Sequence, residues 1–215
     1  ADIMLMSQWI ELARNYFYER FFLFLLVIIL LVMGVVFGSL SVNSLGSNQR
    51  HELTQYLRLF LQGFRQDPTA VVADPGYVRE AIAGHFKTVL FLLVLGISVI
   101  GVPLVLLLIF TRGYILGFTV AFLVRQLGGR GVLLAAAGVL PHQFLIIPTL
   151  VALAVFNIEF AGALIRSRFG HNPVVVSREL LRCLGLNGGG LIVLVLSGLL
   201  EGFVIPVLIR WIARF

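Results

Sequence analysis

Long uncharged apolar runs constrain this chain more than any other feature. Phe21 to Asn43 and Thr88 to Phe110 hold no charged residue, Val132 to Phe156 holds only the ionisable His142, and Leu186 to Ile209 holds only Glu201. A helix needs about 20 mostly apolar residues to cross about 30 Å of hydrocarbon, and each run reaches that length. At 60% hydrophobic and 12% charged residues, with a mean hydropathy of +1.04, the chain cannot hide its apolar surface in one soluble core. A bilayer must be its solvent. The runs are apolar on every face instead of alternating over about 10 residues, which excludes a closed barrel.

The expected fold class is therefore all-α: a polytopic membrane helix bundle of about five spans. Residues 1–215 read as one membrane domain, with an extracytoplasmic helical hairpin at 44–86 between spans 1 and 2. The first span, Phe21 to Asn43, follows a mixed segment from Trp9 to Arg20 that suits an interfacial helix anchored by Trp9, Tyr16 and Tyr18. It reads as an uncleaved signal anchor, being too long for a signal-peptide core and lacking a small-x-small cleavage site. The second span, Thr88 to Phe110, continues a helix begun at Asp74-Pro75-Gly76, where Asp caps and Pro suits the first position. Pro103 is expected to kink its inner half.

Gly113 to Val124 is short and is followed by Arg125 and Arg130, so it reads as a short tilted span or a re-entrant hairpin. Val132 to Phe156 carries Pro141 and Pro148 and should bend. Arg166, Arg168, Arg178 and Arg182 form the densest basic loop, which the positive-inside rule places in the cytoplasm. Ser177 there can cap a short amphipathic helix with Leu180, Leu181 and Leu184 in the interface. Five spans put the C-terminus outside; a re-entrant third segment would reverse that end.

Small residues mark helix-packing stripes. Gly34 and Gly38 form a GxxxG pattern, and Gly113, Gly117 and Ala121 repeat at the same spacing. Removing side chains from one stripe lets another helix backbone approach, within the chain or in a homodimer.

Several function classes lack their minimum parts. The formal charge of +6 comes mostly from Arg residues at the ends of apolar runs, where lipid headgroups meet them, so no nucleic-acid partner is expected. Cys183 is the single cysteine, which rules out an intrachain disulfide and a thiol metal cluster. No GxSxG elbow, P-loop, GxGxxG turn or CxxC pair occurs, so neither an enzyme nor a cofactor is expected. His142, Glu159 and Glu201 match no helical metal-ligand spacing.

The intramembrane polar residues remain. His142 after Pro141 reads as a neutral side chain bonded to a carbonyl freed by the proline, or as a ligand or proton relay. Glu201 should face the bundle, paired with His142, Asn157 or an Arg. Asn157 and Glu159 end the fourth run and read as interface markers. In the hairpin, Leu53, Tyr56, Leu57, Phe60, Leu61 and Phe64 recur at helical spacing and form one apolar face opposite Arg58, Gln62 and Arg65. That face must rest on the membrane, on the helix carrying Val78, Ile82 and Phe86, on a second copy or on another protein.

Met33-Gly-Val-Val-Phe-Gly38 with Val42-Asn43-Ser44, Leu95-Gly-Ile-Ser-Val-Ile-Gly101 with Pro103, and Gly117-Phe-Thr-Val120 occur in order with Leu140-Pro141, Ile147-Pro148, and Glu201 with Pro206. In this order and spacing the chain resembles the stage II sporulation protein M family over nearly its whole length. Many relatives carry Pro-His-Gly and then a Glu where this chain has Pro141-His142-Gln143 and Ile146-Ile147. The resemblance implies a scaffold of the engulfment machinery in endospore-forming bacteria, in the mother cell's septal membrane. It also implies two partners, peptidoglycan hydrolases resembling stage II sporulation proteins D and P. The residues alone leave a second reading open: a permease-like component with a polar path along Arg125, Pro141, Pro148 and Glu201.

Overall fold

The structure, a computed structural model, describes residues 20–66, 75–97, 101–169 and 176–213. Every regular element among them is an α-helix. These are α1 (Phe21–Ser41), α2 (Ser47–Gln66), α3 (Pro75–Ile97), α4 (Gly101–Leu127), α5 (Gly129–Gly138), α6 (Leu140–Phe169) and α7 (Val176–Ala213). Four segments are long and apolar enough to cross a membrane: Phe21–Ser41, Gly101–Leu127, Leu140–Ile165 and Leu180–Leu199. A fifth, Ile82–Gly96, is apolar but shorter. Phe22, Phe91, Leu107, Phe144 and Ile192 lie bare on the outside, as they must where lipid is the solvent. The interfacial segment expected at Trp9 to Arg20 lies outside the described residues, apart from Arg20 itself.

The α1–α4 contact is the largest between any two helices, and glycine makes it possible. A Cβ at Gly34 or Gly38 would strike the carbonyl of Phe110 or Tyr114, and one at Gly113 or Gly117 would strike that of Leu31 or Val35. The two small-residue stripes thus face each other within one chain, backbone against backbone. Residue numbers climb together across this seam, so α1 and α4 are parallel. Phe37 leans on Phe110 beside it, ring centroids 6.1 Å apart.

Contacts elsewhere set the remaining directions. Thr88 meets Arg112 and Leu95 meets Gly101, so α3 runs antiparallel to α4. Asn157 meets Asn187 and His142 meets Ser197, so α7 runs antiparallel to α6. Gly131 packs on the Leu123 carbonyl, which turns α5 back along α4. At about 1.5 Å per residue, α5 covers only about 15 Å before α6 takes over in the same direction. Together α5 and α6 form one broken crossing. Half of the spanning window of α6 is buried, against less than a quarter in the other three, so α6 is the central helix. Its Ile146, Leu150, Leu153, Ala154 and Val155 pack with Leu92, Ile109 and Leu194.

Several boundaries differ from the sequence reading. The helix from Pro75 stops at Ile97 instead of reaching Phe110, and Gly101, which opens the antiparallel α4, lies on the Leu95 backbone. Pro103 consequently sits in the first turn of α4, where its missing N–H leaves no helix bond unmade, and it kinks nothing. Gly113 to Val124 is neither a short span nor a re-entrant hairpin but the second half of α4. That helix ends at Gly128, whose φ of 57° is a left-handed conformation that glycine adopts without strain. Pro141 likewise opens α6 instead of bending a longer helix, while Pro148 lies within it. No separate amphipathic helix precedes the last span; α7 runs unbroken over 38 residues.

Two outcomes are expected. Gly38→Ala must push α1 and α4 apart, lowering stability in mild detergent by about 1–3 kcal/mol; Gly162→Ala, which meets no neighbour, leaves it unchanged. In a Cys183→Ala background, cysteines placed at Asn48 and Arg130 are labelled by an impermeant maleimide from one side of the membrane, and a cysteine at Arg182 from the other.

Candidate functional site

Polar residues are distributed in two layers across the bundle. The first lies near the level where α1 begins. Arg20 forms an ion pair with Glu159, tying the start of α1 to α6. Glu159 is thus at a membrane boundary, whereas Asn157, expected there beside it, is fully buried. The Asn157 amide donates to the Leu153 carbonyl at 2.7 Å and to Asn187 Oδ1 at 3.2 Å, and Asn187 donates to the Cys183 carbonyl at 2.9 Å. Cys183 Sγ lies 3.7 Å from Asn157 Oδ1. Gly96 of α3 lies directly on the Asn157 side chain, with no room for a Cβ. The carboxamide pair therefore locks α6 to α7 under a cover of α3 backbone.

The second layer lies halfway along the spans. Arg112 occupies the middle of the 27-residue α4 and donates to the Thr88 hydroxyl, which in turn donates to the Gly84 carbonyl at 2.9 Å. Among the described residues no carboxylate contacts Arg112. A charged Arg at the centre of a span costs about 2.5–3.5 kcal/mol on insertion scales, so its presence there calls for compensating partners. His142 is buried at the same level in the first turn of α6. Its carbonyl accepts from Ser197 Oγ at 3.1 Å, and its Nε2 lies 3.3 Å from the Gln143 amide nitrogen. His85 of α3 is also buried, against Gly198.

A cavity of about 280 Å³ opens beside this layer, lined by Arg112, Thr119, His142 and Gln143 among apolar neighbours from α1, α4 and α6. It exists because α5 stops short and α6 starts inside the membrane. A second, more apolar groove of about 540 Å³ adjoins it at Leu116 and reaches Asn43 and Arg125.

The sequence-read residues thus fall into separate places. Gly34, Gly38, Gly113 and Gly117 line one seam; Pro141 and His142 mark the break; Asn157 belongs to the other layer. Glu201 stands one turn beyond Ser197 on α7, but its side chain lies outside the described residues. Leu53, Tyr56 and Leu57 are on α2 far from both layers, and the side chains of Phe60, Leu61 and Phe64 are likewise outside the described ones. Among the described residues no group of three His, Cys, Asp or Glu could hold a metal. Sequence reading missed Arg112, Thr88, Asn187 and Ser197. Arg112 falls in the gap between the span expected to end at Phe110 and the short segment expected to begin at Gly113; Gly101 and Pro103, as a helix start, were the signal that a single span passes through it.

Parallel and antiparallel apolar helices with a broken central crossing define a multi-pass helical membrane protein. The family model for stage II sporulation protein M matches residues 27–206. The chain belongs to that family of sporulation-related membrane proteins. No curated protein and no solved structure matches it.

The amide pair yields a quantitative expectation. Asn157→Ala or Asn187→Ala strands a buried carboxamide and lowers stability by about 1–2 kcal/mol, while the double substitution costs less than the sum. Thermal unfolding of the four variants in detergent measures the coupling.

Proposed function

We propose that this protein is a non-enzymatic scaffold of the engulfment machinery, sitting in the septal membrane of the mother cell. In this reading the bundle anchors and α2 recruits peptidoglycan hydrolases resembling stage II sporulation proteins D and P. The observation that carries it is the state of α2. Among the described residues α2 makes no extensive contact with any other helix, and its Tyr56 is 71% exposed. Leu59 is bare as well. The exposed Tyr56 offers this amphipathic helix a surface for a partner, and aromatic anchors commonly dominate such binding.

The permease-like alternative draws on the broken crossing and its cavity. A transport path needs a water-accessible route through both halves of the bundle. On the Arg20 side the centre is filled by Leu153, Leu194, Asn157 and Asn187, all nearly or fully buried. That filling favours an anchor over a conduit.

Tyr56→Asp combined with Phe60→Asp is expected to abolish co-purification of the two hydrolases from sporulating cells while leaving membrane expression unchanged. Capture at the parent level would refute the recruiting role of α2.

A further inference from the structure

We infer that the cavity at the α5–α6 break is a binding site for a small carboxylate anion with an apolar body, held by the Arg112 guanidinium. This inference stands apart from the scaffold reading. Arg112 is placed at mid-span, where a charge is tolerated only with partners. Thr88 supplies one acceptor, and a guanidinium has five N–H donors in a planar fork suited to two carboxylate oxygens. No described carboxylate answers that fork from within the chain.

The rest of the lining fits the same ligand. Gln143 and Thr119 add neutral donors, and the His142 side chain stands beside them. The first turn of α6, the positive end of its peptide dipoles, borders the cavity through His142 and Gln143. Leu31, Ile115, Leu116, Ile147 and Leu150 supply an apolar wall. At about 30 Å³ of liquid volume per water, 280 Å³ equals roughly nine waters, room for a carboxylate with a short hydrocarbon body. A cation would face Arg112 and gain nothing. An uncharged solute would leave the fork unanswered.

The ligand can come from water or from the bilayer. The adjoining groove reaches Arg125 and Asn43 near the ends of α4 and α1, while Ile115 at the cavity rim is more than half exposed to the lipid side. The test uses the intact chain in lipid nanodiscs with radiolabelled hexanoate as the water-borne probe, laurate as the bilayer-borne probe and hexanol as the uncharged control. Saturable binding of either acid, with none of hexanol, is the expected result, and the acid that binds identifies the source.

Arg112→Gln should weaken binding by about tenfold or more, the loss of a charge-assisted hydrogen bond, and Arg112→Lys by less. Gln143→Leu, which leaves the buried Arg in place, should weaken it about threefold, and so keeps the test open if Arg112 variants do not fold. The site is overturned if neither acid binds the parent protein. Equal binding by parent, Arg112→Gln and Gln143→Leu would overturn it too.

Discussion

Everything in this fold hangs on two helices touching through their backbones. Lipid tails are as apolar as Leu, so association of spans draws nothing from the hydrophobic effect and depends on how closely atoms can pack. Four glycines, two on α1 and two on α4, clear side chains from the points of closest approach and bring carbonyls against α-carbons. The contact is parallel. Two consecutive outward spans in parallel demand a return span between them, and α3 is that return. The end of α3 lies against the start of α4, where Gly101 rests on the Leu95 backbone, and α4 is thereby within reach of α1.

Much of this was legible in the sequence. Hydrophobic length alone defined the class, and the four-residue glycine spacing identified both halves of the seam. What could not be read was that the two halves meet each other, since a GxxxG stripe serves a neighbour in the same chain or in a second copy equally well. With both stripes occupied internally, they no longer speak for a homodimer. Helix boundaries were the weaker part. Pro103 and Pro141 read as kinks because proline inside an apolar run suggests a bend, yet both stand in the first turn of a helix, where proline is at home. The amide pair of Asn157 and Asn187 was hidden for another reason: the two residues lie 30 positions apart, and only the antiparallel register of α6 and α7 joins them.

The polar residues divide between two tasks. Those near the level of Arg20 answer one another: Arg20 with Glu159, Asn157 with Asn187. Satisfied groups of this kind fix register and add rigidity. At mid-span the chain instead gathers the Arg112 guanidinium, the His142 imidazole and a broken helix around an open space. Holding such a space inside a bilayer costs packing, and the close α1–α4 seam runs beside it through Leu31, Ile115 and Leu116.

One length has a mechanical meaning. At about 1.5 Å per residue α7 is about 57 Å long, nearly twice the hydrocarbon thickness, and no break divides it. It is clamped to α6 through the carboxamides at one level and through Ser197 at another. Two attachments at different heights fix the tilt of such a rod against α6. The helix is thus a strut, one end on the side where α2 lies and the other at the opposite face of the membrane.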